Sequence, residues 1–176
     1  MRYFVYSLIA ASLLFAPACQ ADNQFKNRLP IQKIEVSKYL GTWYEIARVP
    51  NWFEKELVGV TATYSLKNNG NIEVKNSGYQ KTLTGEKKTA IGNAWIPDPA
   101  KPGALQVSFF WPFSAGYNVV AIAPDYSYAL VFGDTTEYAW ILSRTPTMDV
   151  QVYNNLIKTA ESLGIPSSTF EKVPQR

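Results

Sequence analysis

Histidine is absent from the 176 residues, and there is a single cysteine, Cys19. Without histidine the Ser-His-Asp and Cys-His arrangements that activate a nucleophile cannot be assembled, and metal sites lose their commonest nitrogen ligand. A lone cysteine excludes a disulfide within the chain and leaves no second thiol for catalysis. No glycine-rich loop follows a strand and opens a helix, so a phosphate cradle is missing as well. Charge is sparse: 17 Lys and Arg against 14 Asp and Glu give +3, too little and too dispersed for a nucleic-acid surface. The carboxylates Glu45, Asp98, Asp125 and Glu137 have no spacing that gathers two of them in one place. Catalysis is therefore the poorer reading, and no catalytic residue, metal or cofactor is expected.

What the chain does have is aromatic content, 14%, with glycine and proline spread along it as turn punctuation. Its length is that of one domain with a substantial core. Residues 1–18 have the form of a secretory signal, with Arg2 as the positive start and Val5 to Phe15 as an apolar stretch too short to span a bilayer. Ala16-Pro17-Ala18-Cys19 puts the lone cysteine just after a small residue, where bacterial lipoproteins are acylated, so Cys19 is the expected lipidation site. Ala16 stands where leucine is usual, and the alternative is cleavage after Ala18 or Ala21 to leave a soluble periplasmic protein. Gln20 follows rather than aspartate, so the inner-membrane retention signal is missing. Residues 19–30 are polar and aperiodic, the pattern of a tether, and 31–176 form the folded domain.

Within that domain, eight strand-like runs follow one another. The first is Gly41-Thr42-Trp43-Tyr44-Glu45-Ile46-Ala47-Arg48, closed by Pro50 and Asn51. Val58 to Leu66 alternates apolar and small polar residues, Asn68-Asn69-Gly70 is a tight turn, and Ile72 to Tyr79 alternates again. Further runs cover 86–96, Ala104 to Phe109, Tyr117 to Ala123, Tyr128 to Gly133 and Tyr138 to Arg144. After Pro146 the period becomes helical over about 147–163, with Thr147 as cap and Val152, Leu156, Ile157, Ala160 and Leu163 on one face. That helix is expected on the outer wall of an all-β, eight-stranded antiparallel up-and-down barrel. If the first and last strands meet to close it, Arg144 can stack on the Trp43 ring as a cation–π pair.

Gly41-x-Trp43 on the first strand, Asp125-Tyr126 in a turn and Arg144 ending the eighth strand resemble the three signature regions of the lipocalins. The fuller strings Gly-Thr-Trp-Tyr-Glu-Ile-Ala-Arg and Trp140-Ile-Leu-Ser-Arg-Thr-Pro146 are similar to the bacterial outer-membrane, apolipoprotein D-like branch of that family. Pro124 departs from the pattern, standing where the second signature carries a threonine. The resemblance implies a ligand that is a fatty acid, a lysophospholipid or a related membrane lipid. It also implies an outer-membrane location on the periplasmic face, with Cys19 as the anchor.

Period-2 parity then assigns the interior. It turns inward Val60, Ala62 and Tyr64; Ile72, Val74 and Asn76; Leu105, Val107 and Phe109; Ala129 and Val131; and Tyr138, Trp140 and Leu142. Ala90, Gly92 and Ala94 follow on the fourth strand, and Val119 and Ala121 on the sixth. From these, Val60, Ala62, Tyr64, Val74, Asn76, Leu105, Val107, Phe109, Val119, Val131, Tyr138 and Trp140 are the candidate ligand-binding residues. Trp43, Arg144, Asp125 and Tyr126 fall at the closed end and read as structural. A barrel of this size either fills itself with side chains or holds one small ligand, and its small inward residues favour the second. An acyl chain buried at ~0.8 kcal/mol per methylene reaches micromolar affinity without a charged anchor. The rivals are a lipid-modifying enzyme and an interaction module with a filled barrel. Phe109-Phe110-Trp111-Pro112-Phe113 puts apolar residues at a loop tip, a contact face for a membrane or for a second copy in a homodimer. Trp52 and Phe53 adjoin it, and Lys55, Lys81, Lys87 and Lys88 near the mouth are offset by Glu54, Glu56 and Glu86.

Overall fold

The computed structural model describes residues 24–176. Eight strands follow in order: β1 (Gly41–Arg48), β2 (Leu57–Leu66), β3 (Ile72–Gln80), β4 (Lys87–Trp95), β5 (Ala104–Phe110), β6 (Phe113–Ile122), β7 (Tyr128–Phe132) and β8 (Ala139–Ser143). Each pairs antiparallel with its sequence neighbour, and β1 pairs with both β2 and β8. The sheet is thereby closed, which is the expected up-and-down barrel and which leaves these strands no free edge. A short helix α1 (Val36–Tyr39) precedes β1, and α2 (Val150–Ser162) follows β8. The tail adds a two-residue strand, β9 (Glu171–Lys172), against Ala47 and Arg48 of β1.

Two apolar cores lie on either side of the sheet. Inside, Trp43, Tyr64, Val74, Leu105, Val119, Val131 and Leu142 pack with Ile34 and Tyr39 from the entry segment. Outside, Leu156 and Ala160 of α2 cover Val120, Leu130, Phe132, Ala139 and Ile141. Strands β7 and β8 are therefore buried on both faces and are mostly apolar, whereas β3 alternates.

The structure departs from the sequence expectations in four places. The helix begins at Val150, not near Thr147: the Asp149 carboxylate accepts from the amides of Gln151 (2.8 Å) and Val152 (3.1 Å), and a carboxylate serving two orphan donors is the better cap. Strand β6 starts at Phe113, four residues before the expected Tyr117, because Phe110 pairs directly with Phe113 across a two-residue turn at Trp111 and Pro112. Proline is compatible there because it occupies the turn and removes no ladder hydrogen bond. A register shift between Val119 and Ala121 moves Ala121 to the outer core, so only Val119 of that pair faces inward. Finally, Phe25 and Leu29 of the expected tether are buried in the outer core, with Phe25 stacked 6.0 Å from Phe132. Their partners lie on the wall, so no periodicity within the segment announces them. Residues 1–23, which hold the signal and Cys19, lie outside the described residues.

The closed end is held by one guanidinium. Arg144 lies 3.8 Å over the Trp43 ring. It donates to the carbonyls of Lys38 (2.7 Å), Tyr39 (3.2 Å), Leu40 (2.9 Å) and Thr42 (2.9 Å). Trp43 is fully buried and donates its indole N–H to the Tyr39 carbonyl at 2.9 Å. Gly41 adopts φ +92°, and a Cβ there would stand 3.4 Å from an Arg144 nitrogen. Glycine suits the left-handed backbone there, and a Cβ would only touch Arg144 at ordinary contact distance. The second signature turn also braces this end. Asp125 accepts from the amide (3.0 Å) and hydroxyl (2.7 Å) of Ser127, and the Tyr126 hydroxyl accepts from the Glu35 amide at 2.8 Å. The turn closes with Pro124 in place, through bonds from Tyr126 N to Ala123 O (2.9 Å) and Ala123 N to Tyr128 O (3.0 Å).

Removing the Trp43 ring would leave a void and strand the stacked guanidinium. Trp43→Ala is expected to lower unfolding free energy by roughly 3–5 kcal/mol, measured by urea denaturation.

Candidate ligand-binding site

The strand pairing stacks inward residues at matched heights. Trp43 stands opposite Ala62, Ala62 opposite Asn76, and Asn76 opposite Ala90. Tyr64 stands opposite Val74, which faces Gly92; Ala94 stands opposite Val107. Of the candidate residues, Tyr64, Val74, Leu105, Val119 and Val131 are buried in the inner core, and Ala62, Val107, Phe109 and Trp140 pack against it while only partly buried. Phe109 fits because Gly92 lacks a side chain: a Cβ there would come within 2.8 Å of its ring. Asn76 is partly buried, and its carboxamide oxygen is enclosed with no hydrogen-bond partner. Val60 is buried against Gly78 and stands outside the inner core. Tyr138 lies on the rim loop, with its ring stacked 6.3 Å from that of Trp140.

Depth separates these residues. Toward the closed end, Trp43, Tyr39 and Tyr64 are packed solid, and the Tyr39, Tyr64 and Tyr117 hydroxyls form a chain with O···O distances of 2.7 and 2.8 Å. Burial, foremost, pushes all three phenols above their ordinary range, so they remain neutral hydrogen-bonding groups at physiological pH. Ala62 and Asn76, level with Trp43, and Val107, Phe109 and Trp140 further toward the mouth stay only partly buried although they face inward. From the mouth, a run of rings leads in: Trp52 meets Phe53 edge-on at 5.5 Å, Phe53 stacks on Tyr138 at 6.0 Å, and Tyr138 stacks on Trp140.

Sequence reasoning missed the polar group beneath that run. Glu45 shares the inward face of Trp43, and the chain is out of register between Glu45 and Ala47, so Arg48 stands opposite the inward residue Trp140. The buried Arg48 donates to Glu45 at 3.0 Å, to Glu171 at 2.8 Å and to the Leu57 carbonyl at 3.1 Å. Glu54, also buried, accepts from the Trp140 indole at 3.0 Å and from Asn51 at 2.6 Å, and its charge acts on Glu45. Parity with Trp43, two residues earlier on β1, was the available signal for Glu45. The arrival of Glu54 from the β1–β2 loop had no sequence signal, because loop conformation is not periodic.

Burial above all, and then the neighbouring Glu54, holds the Glu45 carboxyl well above its ordinary value of 4.5, against the pull of Arg48. Burial disfavours the Arg48 cation, but Glu45, Glu54 and Glu171 outweigh it and raise that pKa. A carboxyl raised in the folded state holds a proton that the unfolded chain releases. Its contribution to stability is complete below pH 4.5 and is lost as pH climbs through the folded value. Glu45→Gln is therefore expected to flatten the fall of unfolding free energy as pH rises above 4.5, whatever it does to absolute stability. Denaturant titrations across that range, on parent and variant, measure the two slopes.

Comparison with known proteins accords with this architecture. The family model described as a lipocalin-like domain matches residues 34–175. The outer membrane lipoprotein Blc of Escherichia coli K12 is 38% identical over 175 residues, covering 99% of this chain and 98% of that protein. Apolipoprotein D of Bos taurus is 38% identical over 153 residues, 80% of this chain and 78% of that protein. Among solved structures, insecticyanin from the tobacco hornworm superposes with a TM-score of 0.67 at 24% identity, covering 84% of each chain. With three signature regions meeting at the closed end and the family match spanning the whole barrel, the chain belongs to the lipocalin family.

Proposed function

We propose that the barrel binds an amphiphile with one long acyl chain, a fatty acid or lysophospholipid, and stores or carries it at the outer membrane. The observation that carries this reading is the gradient of burial along the interior. The closed end is filled, whereas Ala62, Asn76, Val107, Phe109 and Trp140 carry inward parity and stay only partly buried. A chain laid over these residues would bury about 0.8 kcal/mol per methylene, enough for micromolar binding from the chain alone. The unpaired Asn76 oxygen offers an acceptor to a hydroxyl or protonated carboxyl. The polar head would remain at the mouth, where Tyr138 and Trp52 supply amphipathic rings.

The relatives named outer membrane lipoprotein support the location: anchored in the outer membrane through an acylated Cys19, with the barrel on the periplasmic side. Carriage is favoured over lipid chemistry because Glu45, Arg48 and Glu54 are engaged with one another and with Trp140. Groups held in that way support the wall instead of moving a proton on a ligand.

Enlarging Ala62, which stands opposite Trp43 and Asn76, places an indole where the chain would lie. Ala62→Trp is expected to weaken fatty-acid binding roughly tenfold or more, with thermal stability unchanged or raised. In a filled barrel the same change would overpack the core and cost about 1–3 kcal/mol, with no parental binding to lose. Isothermal titration with a saturated fatty acid, paired with thermal unfolding of both proteins, separates the two. Destabilisation together with no binding by the parent contradicts the proposal.

A further inference from the structure

The hairpin joining β5 to β6 carries Phe110, Trp111 and Phe113 with 77%, 85% and 76% of their surface exposed, and Trp52 across the mouth is 77% exposed. Other exposed apolar residues, Leu66, Ile91 and Val150, are scattered singly over the barrel and α2, the ordinary condition of a soluble surface. The mouth is different: its large aromatics share one end, and they neither line the interior core nor pack in the outer one. The hairpin turn is short and paired at Phe110 and Phe113, so these rings are presented on a strand framework and not on a loose loop.

The path of the N-terminal segment says what this end faces. From Glu35, whose amide binds Tyr126 at the closed end, the chain traced backwards passes Gln32, which donates to the Val119 carbonyl at 2.9 Å. It then reaches Phe25, stacked on Phe132 at the mouth end of β7. Lys26 pairs with Asp134 of the β7–β8 mouth loop at 2.8 Å, and Asp134 accepts from the Gly116 amide at 3.1 Å. Gly116 lies three residues below Phe113 on β6, roughly 10 Å along the strand. The chain that precedes the described residues thus departs from the mouth, beside the aromatic hairpin. Cys19 is seven residues before Lys26, a span of at most about 25 Å.

We propose that the open end of the barrel docks directly on a phospholipid bilayer, with Phe110, Trp111, Phe113 and Trp52 seated in its interfacial layer. The inference rests on the lipid anchor read for Cys19. An acyl anchor on so short a lead holds this end of the barrel near the membrane, within reach of the exposed rings. Aromatic rings are the side chains best suited to the headgroup level. Lys55, Lys81 and Lys87 stand exposed around the same rim, suited to lipid phosphates, while the rim acid Glu86 is paired with Lys88 at 2.6 Å and Glu56 accepts from Gln80 at 3.3 Å. In this pose the ring path from Trp52 through Phe53 and Tyr138 to Trp140 joins the bilayer to the barrel interior. A ligand then passes between membrane and cavity without crossing water.

The test uses the full-length acylated protein in vesicles of phosphatidylethanolamine and phosphatidylglycerol, part of the former brominated in its acyl chains. Bromolipid is expected to quench tryptophan emission, and Trp111→Phe is expected to remove much of that quenching. In the same vesicles, Phe110→Ser with Phe113→Ser is expected to slow transfer of a fluorescent fatty acid into the protein roughly tenfold. Its affinity for that fatty acid in vesicle-free solution should be unchanged. Protein that floats with the vesicles but shows no Trp111-dependent quenching overturns the docking and leaves the ligand-binding reading intact. So does a dimer, by sedimentation, in which Trp111 is shielded from iodide. If Cys19→Ala leaves membrane fractionation unaltered, the anchor fails and the docking with it; the solution affinity, measured on the same preparation, reports separately on the cavity.

Discussion

The barrel depends on Arg144 meeting Trp43. Eight strands close only if the first and last come together, and at the closed end that junction is a guanidinium stacked 3.8 Å from an indole. The same guanidinium ties down the entry chain through four carbonyls, those of Lys38, Tyr39, Leu40 and Thr42. A cation–π contact is worth ~0.5–2 kcal/mol according to its exposure, and Arg144, half-buried, adds four carbonyl bonds to it, so this cluster outweighs a single exposed ion pair. Gly41, α1 and the Asp125 turn all serve its geometry. With this end sealed, the other end is free to remain open.

That asymmetry divides the interior into two regions with different physics. Below, Trp43, Tyr39, Tyr64 and Leu105 are packed as a protein core is packed, and the tyrosine hydroxyls satisfy one another. Above, Val107, Phe109 and Trp140 are less completely buried, and apolar surface of that kind gains from being covered by an apolar ligand. Between the interior and the outer wall at the mouth, Arg48 binds three elements through Glu45, the Leu57 carbonyl and Glu171. Removing one partner from such a cluster would leave a buried charge unmatched, which is costlier than losing a surface pair. The tail strand β9, docked on β1 beside it, therefore does more than decorate the barrel: it carries one of the carboxylates.

The barrel was legible in the sequence because its strands obey period 2 and its turns carry Gly, Asn and Pro. The latch was legible because two uncommon side chains, Trp43 and Arg144, end the strands that must meet. Interior parity was legible wherever a ladder ran unbroken, as through Ala62, Tyr64, Val74 and Asn76. It failed at Ala121, where the register shift after Val119 reverses the faces, and a bulge of one residue leaves no mark in composition. Phe25 and Leu29 were hidden for a different reason: two apolar residues in a polar segment have no period, and only the wall they meet explains them. The Glu45–Arg48–Glu54 group needed both a β-strand register shift and a loop conformation, so its charges looked like isolated surface residues.

The proposed binding mode has an acyl chain entering this barrel from the mouth and passing beside Trp140. Titration of the parent and of Trp140→Phe with a fatty acid brominated along its chain tests it most directly, since bromine quenches only an indole that it approaches closely. The account predicts saturable quenching of the parent at one ligand per chain, with much of the signal missing in Trp140→Phe while the other tryptophans remain. Quenching that never saturates, or that is the same in both proteins, would contradict it.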